Sequence, residues 1–190
     1  MSTGTGTGTA GVRSFVLVTG NAAKLREARR ILGHQVTAVD VDLPEVQSLD
    51  LATVLSAKAD AAREHTSGPF IVEETGFELA ALNGFPGPLV KWMLAAIGAE
   101  GIARLALAAG DVRATARCRL LYRDGERELS AEGLCTGELV LPARGERGFG
   151  WDSVFQPAGE TLTFGELSDD DKDRIGSRGR AWRGLLARMA

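Results

Sequence analysis

The stretch Phe70–Lys91, FIVEETGFELAALNGFPGPLVK, constrains the fold more than any other part of the chain. Its short apolar run, Phe70-Ile71-Val72, reads as a buried strand. The run stops on two adjacent acids, Glu73 and Glu74, followed by Thr75-Gly76. In α/β sheets, ligands sit at the carboxyl ends of strands. Two carboxylates at such an end can hold a divalent metal or serve as a general base. The structural alternative is a solvated acidic loop that closes the strand. Downstream, Gly84-Phe85-Pro86-Gly87-Pro88 predicts a rigid turn ahead of Lys91 and Trp92.

The flanking sequence supplies the rest of a sheet. The β-branched and apolar run ending at Val18 predicts a strand, and Leu25, Ala28, Ile31 and Leu32 mark one face of a helix that Gly33 stops. Val36–Val41 predicts a second strand and Leu51–Glu64 a second helix. Met93–Ile97 and Ile102–Ala109 read as two short helices split by Gly98–Gly101. Val112–Tyr122 alternates arginine and threonine with apolar residues, which predicts a half-exposed strand with the arginines on a solvated face. Asp124-Gly125 predicts a hairpin. Glu128–Leu134 is then the returning strand, Glu138–Leu141 a further one, and Ala181–Ala190 a last docking helix. A β-α-β-α-β order followed by antiparallel strands implies an α/β fold with a mixed central sheet and flanking helices. The expected organisation is a flexible tail over 1–12, low in complexity, and a single domain over 13–190.

Composition removes several classes of function. A net charge of −3 over 190 residues gives no general attraction to nucleic acid polymers or to membrane surfaces. No stretch is apolar enough to span a bilayer. The two cysteines, Cys118 and Cys135, lack metal-ligand spacing and suit a reducing cytoplasm. The two histidines, His34 and His65, stand in polar stretches at expected helix ends, so neither a zinc site nor a Ser-His-Asp triad is expected.

Several candidates for anion binding remain. The strand–Thr19-Gly20-Asn21–helix unit places Thr19, Asn21 and Lys24 at a helix N-terminus, where free N–H groups and the helix dipole favour phosphate. An ordinary turn with Asn21 as N-cap is the alternative. Lys58 falls on the apolar stripe of the second helix, so it either snorkels or meets an anion. Glu45 follows Pro44 on a loop at a strand exit. Phe149-Gly150-Trp151-Asp152 joins two aromatics and an acid, which can stack on a planar base and hydrogen-bond it.

Taken in order, VTGNAAKL (Val18–Leu25), LPEVQ (Leu43–Gln47), Lys58, VEETG (Val72–Gly76), NGFPGPLVKW (Asn83–Trp92) and FGWDSVF (Phe149–Phe155) resemble the inosine triphosphate pyrophosphatase family over about Phe15 to Ala187. The resemblance implies two lobes around a nucleotide cleft and a homodimer. It implies Mg²⁺-dependent hydrolysis of altered purine nucleoside triphosphates (inosine, deoxyinosine, xanthosine) to the monophosphate and pyrophosphate. Carried over by position, Thr19, Asn21, Lys24, Lys58 and Thr75 hold phosphates, and Glu45 and Glu74 bind the metal. Glu73 and Glu74 form the catalytic acidic pair. Phe149, Trp151, Asp152, Lys172, Ser177 and Arg178 form the base pocket. A triphosphate carries about four negative charges, which lysines, a helix N-terminus and Mg²⁺ together neutralise.

The chain departs from the family pattern at three points. Glu74 stands where aspartate is usual, Ser177 where histidine reads the 6-oxo edge, and Leu89 where tyrosine is common. Two alternatives therefore stay open at this stage: the same chemistry on a different or modified nucleotide, and a nucleotide-binding protein whose hydrolysis is weakened at Glu74.

Overall fold

The apolar run at Phe70 opens a strand of ten residues. In the computed structural model, which describes residues 14–33 and 36–190, strand β3 spans Phe70–Leu79. The expected tail over 1–12 and His34 lie outside the described residues. Glu73 and Glu74 therefore lie mid-strand, and neither the loop nor the strand-end expectation holds. Charges in a sequence read as solvated. Here they stay in the sheet because cations from other elements neutralise them and because β3 pairs along its whole length with β5 (Arg113–Asp124), from Phe70 opposite Arg123 to Leu79 opposite Ala114.

Around β3 lie β1 (Phe15–Val18), β2 (Val36–Val39), β4 (Pro86–Gly87), β6 (Arg127–Leu139) and β7 (Phe155–Pro157). The sheet order is β2-β1-β3-β5-β6-β7, with β4 paired to β3. β1 runs parallel to both β2 and β3, whereas β3, β5, β6 and β7 are antiparallel neighbours. β3 thus joins a parallel half to an antiparallel half.

Side chains alternate across a strand, and three packed cores show which residues share a face. Ile71 packs with Leu17, Ala28, Cys118, Trp182 and Leu185, beneath helices α1 (Ala22–Leu32) and α5 (Ser177–Met189). Val72 packs with Val18, Leu55, Ala59 and Leu121, beneath α2 (Leu51–Ala62). The third core gathers Phe77, Leu79, Phe155 and Phe164 with α3 (Val90–Ala108). Two steps from Ile71 and Val72 along β3, Glu73 faces α1 and α5 while Glu74 faces α2.

The caps agree with the sequence. The Asn21 side chain accepts from the N–H groups of Ala23 and Lys24, and that of Asp50 accepts from Ala52 and Thr53. Three boundaries differ from expectation. α3 is one helix starting at Val90, broken inside at Gly98, whose φ of 68° and ψ of 174° are not helical. α5 starts at Ser177, because Gly176 turns the chain directly out of α4 (Asp169–Ile175). The two short strands expected after the hairpin are a single strand, β6. Of the β5 arginines, Arg117 is ion-paired as well as partly solvated, lying between Glu78 and Glu132.

A glycine in β6 sets how closely α5 approaches. A Cβ at Gly133 would collide with the Ser177 carbonyl oxygen and the Ala181 N–H. Because these are backbone atoms of a buried helix, they cannot rotate away. Gly133→Ala is expected to cost about 2–4 kcal/mol through this overlap, read as a lower midpoint in urea unfolding.

Candidate active site

The turn between β1 and α1 opens onto a cleft of about 680 Å³ whose walls include Thr19, Asn21, Lys24, Glu45, Lys58 and Lys91. Asn21 both caps α1 and lines this cleft, and the Thr19 hydroxyl accepts from the Asn21 N–H at 3.1 Å. Lys24, in the first turn of α1, reaches back to β3, where its ammonium donates to the Glu73 carbonyl at 3.3 Å and lies 3.8 Å from the Glu73 carboxylate. The helix N-terminus and three lysines make one anion-attracting wall.

On the α2 face, Lys58 is buried and its ammonium is shared by two carboxylates. It donates to Glu45 Oε1 at 2.9 Å and to Glu74 Oε2. Burial pulls the Lys58 ammonium down, but Glu74 and then Glu45 outweigh it and hold the group above its usual value. Burial would raise the Glu45 carboxyl, yet Lys58 and Lys91 hold it below the usual range. Lys91 Nζ stands 3.7 Å from the second Glu45 oxygen. Glu45 and Glu74 thus converge on one positive centre from two different elements.

Among the described residues, no group of three or more His, Cys, Asp or Glu is arranged to hold a metal. Two converging carboxylates nevertheless suit Mg²⁺, which keeps several waters and commonly takes its remaining ligands from substrate phosphates. The donor set fits such an ion and does not form a self-sufficient cage.

The opposite face of β3 carries a second pocket, lined by Phe149, Trp151, Asp152, Lys172, Ser177 and Arg178 together with Glu27 and Thr75. Trp151 stacks on Phe77 with ring centroids 4.6 Å apart. Asp152 accepts from the Phe149 N–H at 2.6 Å and from Lys172 at 2.6 Å, which fixes the loop carrying both aromatics. A Cβ at Gly148 would strike that carboxylate, so this position, at a φ of 77°, admits only glycine without rearrangement. Burial pushes the Asp152 carboxyl up against the pull of Lys172. The Phe149 ring lies 5.0 Å from the Lys172 ammonium and 5.5 Å from the Arg178 guanidinium. The remaining void, about 30 Å³, is smaller than a purine.

A family model described as the Ham1 family matches residues 15–188. The chain belongs to the Ham1 family. It is 42% identical over 182 residues to an inosine triphosphate pyrophosphatase of Yarrowia lipolytica, covering 93% of this chain and 96% of that protein. It is 43% identical over 175 residues to inosine triphosphate pyrophosphatase 1 of Trypanosoma cruzi, covering 90% and 89%. Among solved structures, a HAM1 protein from Coxiella burnetii superposes with a TM-score of 0.76 at 23% identity, over 93% of this chain and all of that one. A nucleoside-triphosphatase / dITP/XTP pyrophosphatase from Mycobacterium abscessus superposes with a TM-score of 0.66 at 28% identity, over 90% and 99%.

Within this Ham1 chain the residues singled out by sequence fall into two groups that meet at Glu73 of β3. Thr19, Asn21, Lys24, Glu45, Lys58 and Glu73 line the cleft, and Glu74 is bound to Lys58 beside it. Phe149, Trp151, Asp152, Lys172, Ser177 and Arg178 share the aromatic pocket. Thr75, expected among the phosphate ligands, lines the aromatic pocket, and its N–H donates to Glu74 at 3.1 Å. Glu73 does not share a cation with Glu74. Both its oxygens accept from Arg178 Nε, at 3.0 and 3.1 Å.

Sequence reasoning missed two residues. Lys91 was visible only as an isolated cation after the Pro-Gly-Pro turn. Glu27 had a clearer signal, an acid three residues after Lys24 on the buried side of α1, and it accepts from both Lys172 and Arg178. Burial would raise its carboxyl, but Arg178 and Lys172 hold it below the usual 4.5. Its share of stability is therefore complete above that value and is lost as pH falls through the lower, folded one. Relative to wild type, Glu27→Gln is expected to be less stable by about 3–5 kcal/mol near neutral pH, as when one partner of a buried pair is removed. That gap should close as urea titrations are carried well below pH 4.5.

Proposed function

We propose that this chain is a Mg²⁺-dependent nucleoside triphosphate pyrophosphohydrolase acting on altered purine nucleotides, namely inosine, deoxyinosine and xanthosine triphosphates. The observation that carries this reading is the pairing of a cationic cleft with an aromatic, ion-lined pocket, the two joined at Glu73 of a single strand. The first suits a triphosphate and the second a planar base. Relatives named inosine triphosphate pyrophosphatase at 42% and 43% identity support the same reaction class.

Glu45 and Glu74 would hold the metal, which when bound supplies positive charge to the phosphate oxygens and orients water. Thr19, Asn21 and Lys24 would bind the phosphates at the α1 N-terminus. Lys58 links binding to chemistry. Before substrate arrives its ammonium occupies Glu74 and Glu45; a triphosphate competes for that ammonium and draws it toward phosphate oxygens. Glu74 is then free to hold a water and accept its proton as the water attacks the α-phosphorus, releasing pyrophosphate. No covalent protein intermediate is needed.

Phe149 and Trp151 would sandwich or flank the base, while Lys172, Arg178 and Ser177 would contact its edge. Ser177 can donate or accept one hydrogen bond but cannot carry a charge. A modified 6-substituent is therefore the second substrate class to test. The two cysteines are free, buried thiols, which suits a reducing cytoplasm as the working compartment. The resemblance to the family supports a homodimer, which sedimentation velocity checks directly.

Pyrophosphate release from a panel of nucleoside triphosphates with Mg²⁺ tests the reading. Inosine and xanthosine triphosphates are expected to exceed adenosine and guanosine triphosphates by at least about tenfold in kcat/KM, with activity abolished by EDTA. Turnover only with another base would overturn the substrate assignment. Glu74→Gln is expected to lower kcat by roughly 10²–10⁴ while inosine triphosphate still binds. A Glu74→Gln variant with full activity would remove Glu74 from the chemistry.

A further inference from the structure

Six charged side chains are buried along the α1 and α5 face of β3 and its continuation into the aromatic pocket: Lys24, Lys172 and Arg178, with Glu27, Glu73 and Asp152. They form an unbroken chain of contacts. Asp152 accepts from Lys172 at 2.6 Å, and Lys172 also donates to Glu27 Oε1 at 2.8 Å. The other Glu27 oxygen accepts from Arg178 Nη1, whose Nε binds Glu73, and Glu73 lies beside Lys24. Glu27 is the middle of this chain and the one anion that touches both pocket cations.

Its location makes that position matter. Lys172 belongs to α4 and Arg178 to α5, whereas Glu27 belongs to α1, one turn beyond Lys24 of the cleft. Without the carboxylate, Lys172 keeps Asp152 and Arg178 keeps Glu73, but the two like charges near the Phe149 ring lose the anion that bridges them. Repulsion in a buried site is strong, and the two cations would separate.

We propose that Glu27 is a positioning residue that sets base selectivity: it holds the Lys172 ammonium and the Arg178 guanidinium at the spacing needed to read the edge of the base. This inference rests on the reading of the aromatic pocket as the base subsite. Glu27 itself does not touch the reacting phosphates. Its loss should weaken and blur base recognition while leaving the phosphate cleft able to bind.

The test compares wild type, Glu27→Gln, Glu27→Asp and Arg123→Gln. Arg123 is the control, because it ties β5 to α2 through Asp60 at 2.8 Å, outside the chain of six. Steady-state kinetics with inosine and adenosine triphosphates give selectivity, and inhibition by inorganic tripolyphosphate reports the cleft without a base. For Glu27→Gln the KM for inosine triphosphate should rise about tenfold and the preference over adenosine triphosphate fall about tenfold, with tripolyphosphate inhibition changed by no more than about twofold. Arg123→Gln should lower the melting temperature and leave the preference intact. If Glu27→Gln does not fold by near-ultraviolet circular dichroism, Glu27→Asp, which keeps the charge and shortens the reach, must itself shift the preference.

Unchanged preference in the folded Glu27 variant would overturn the proposal, as would an equal loss for both nucleotides and for tripolyphosphate. A wild type without preference for inosine triphosphate would fail at the earlier step, the reading of the pocket. A wild type with preference that Glu27→Gln retains would sink the Glu27 inference alone.

Discussion

Two adjacent carboxylates are kept inside a central β-strand, and the site depends on how they are neutralised. A buried ion that loses its partner destabilises a protein by several kcal/mol, so Glu73 and Glu74 each require a committed cation. Strand alternation sends them to opposite faces, where Arg178 with Lys24 meets the first and Lys58 meets the second. The positions of α1, α2 and α5 over the sheet follow in part from this need, since each helix delivers one of those cations. The same cations then line the cleft and the pocket.

Close backbone approach is the second constraint. α5 lies near enough to β6 that Gly133 has no room for a methyl group, and the aromatic loop turns so tightly that Gly148 abuts the Asp152 carboxylate. Such contacts hold Arg178 and Trp151 at positions that flexible side chains alone would not specify. Asp152, accepting from the Phe149 N–H and from Lys172 together, ties the loop to α4. The pocket is thereby built from elements distant in the chain but rigid with respect to one another.

Some of this was legible in the sequence because the signals are local. Lys58 on an apolar helical stripe announced a buried cation, and the Asn21 cap announced where α1 starts. The alternation of helices and strands announced a mixed sheet. What was not legible rests on partners far along the chain. Glu73 binds an arginine 105 residues away, and Glu27 binds the same arginine 151 residues away. Nothing near Glu73 distinguishes a buried ion pair from a solvated surface charge, which is why the apolar run alone suggests that β3 ends at Val72; at Glu27 the one local hint is its place a turn beyond Lys24. The continuous β6 strand was missed for a related reason: Gly133 and Gly137 look like interruptions until the helix and strand packed against them are known.

β3 also acts as a partition. Glu74 and Ser177, two of the positions that the sequence reading sets apart from the family pattern, lie on different sides of it. Residues that share no partner change a protein's properties nearly independently. Under the roles proposed for these residues, a lineage carrying this architecture can alter what it recognises on one side while its proposed hydrolytic residues drift on the other, without either change having to wait for a compensating one.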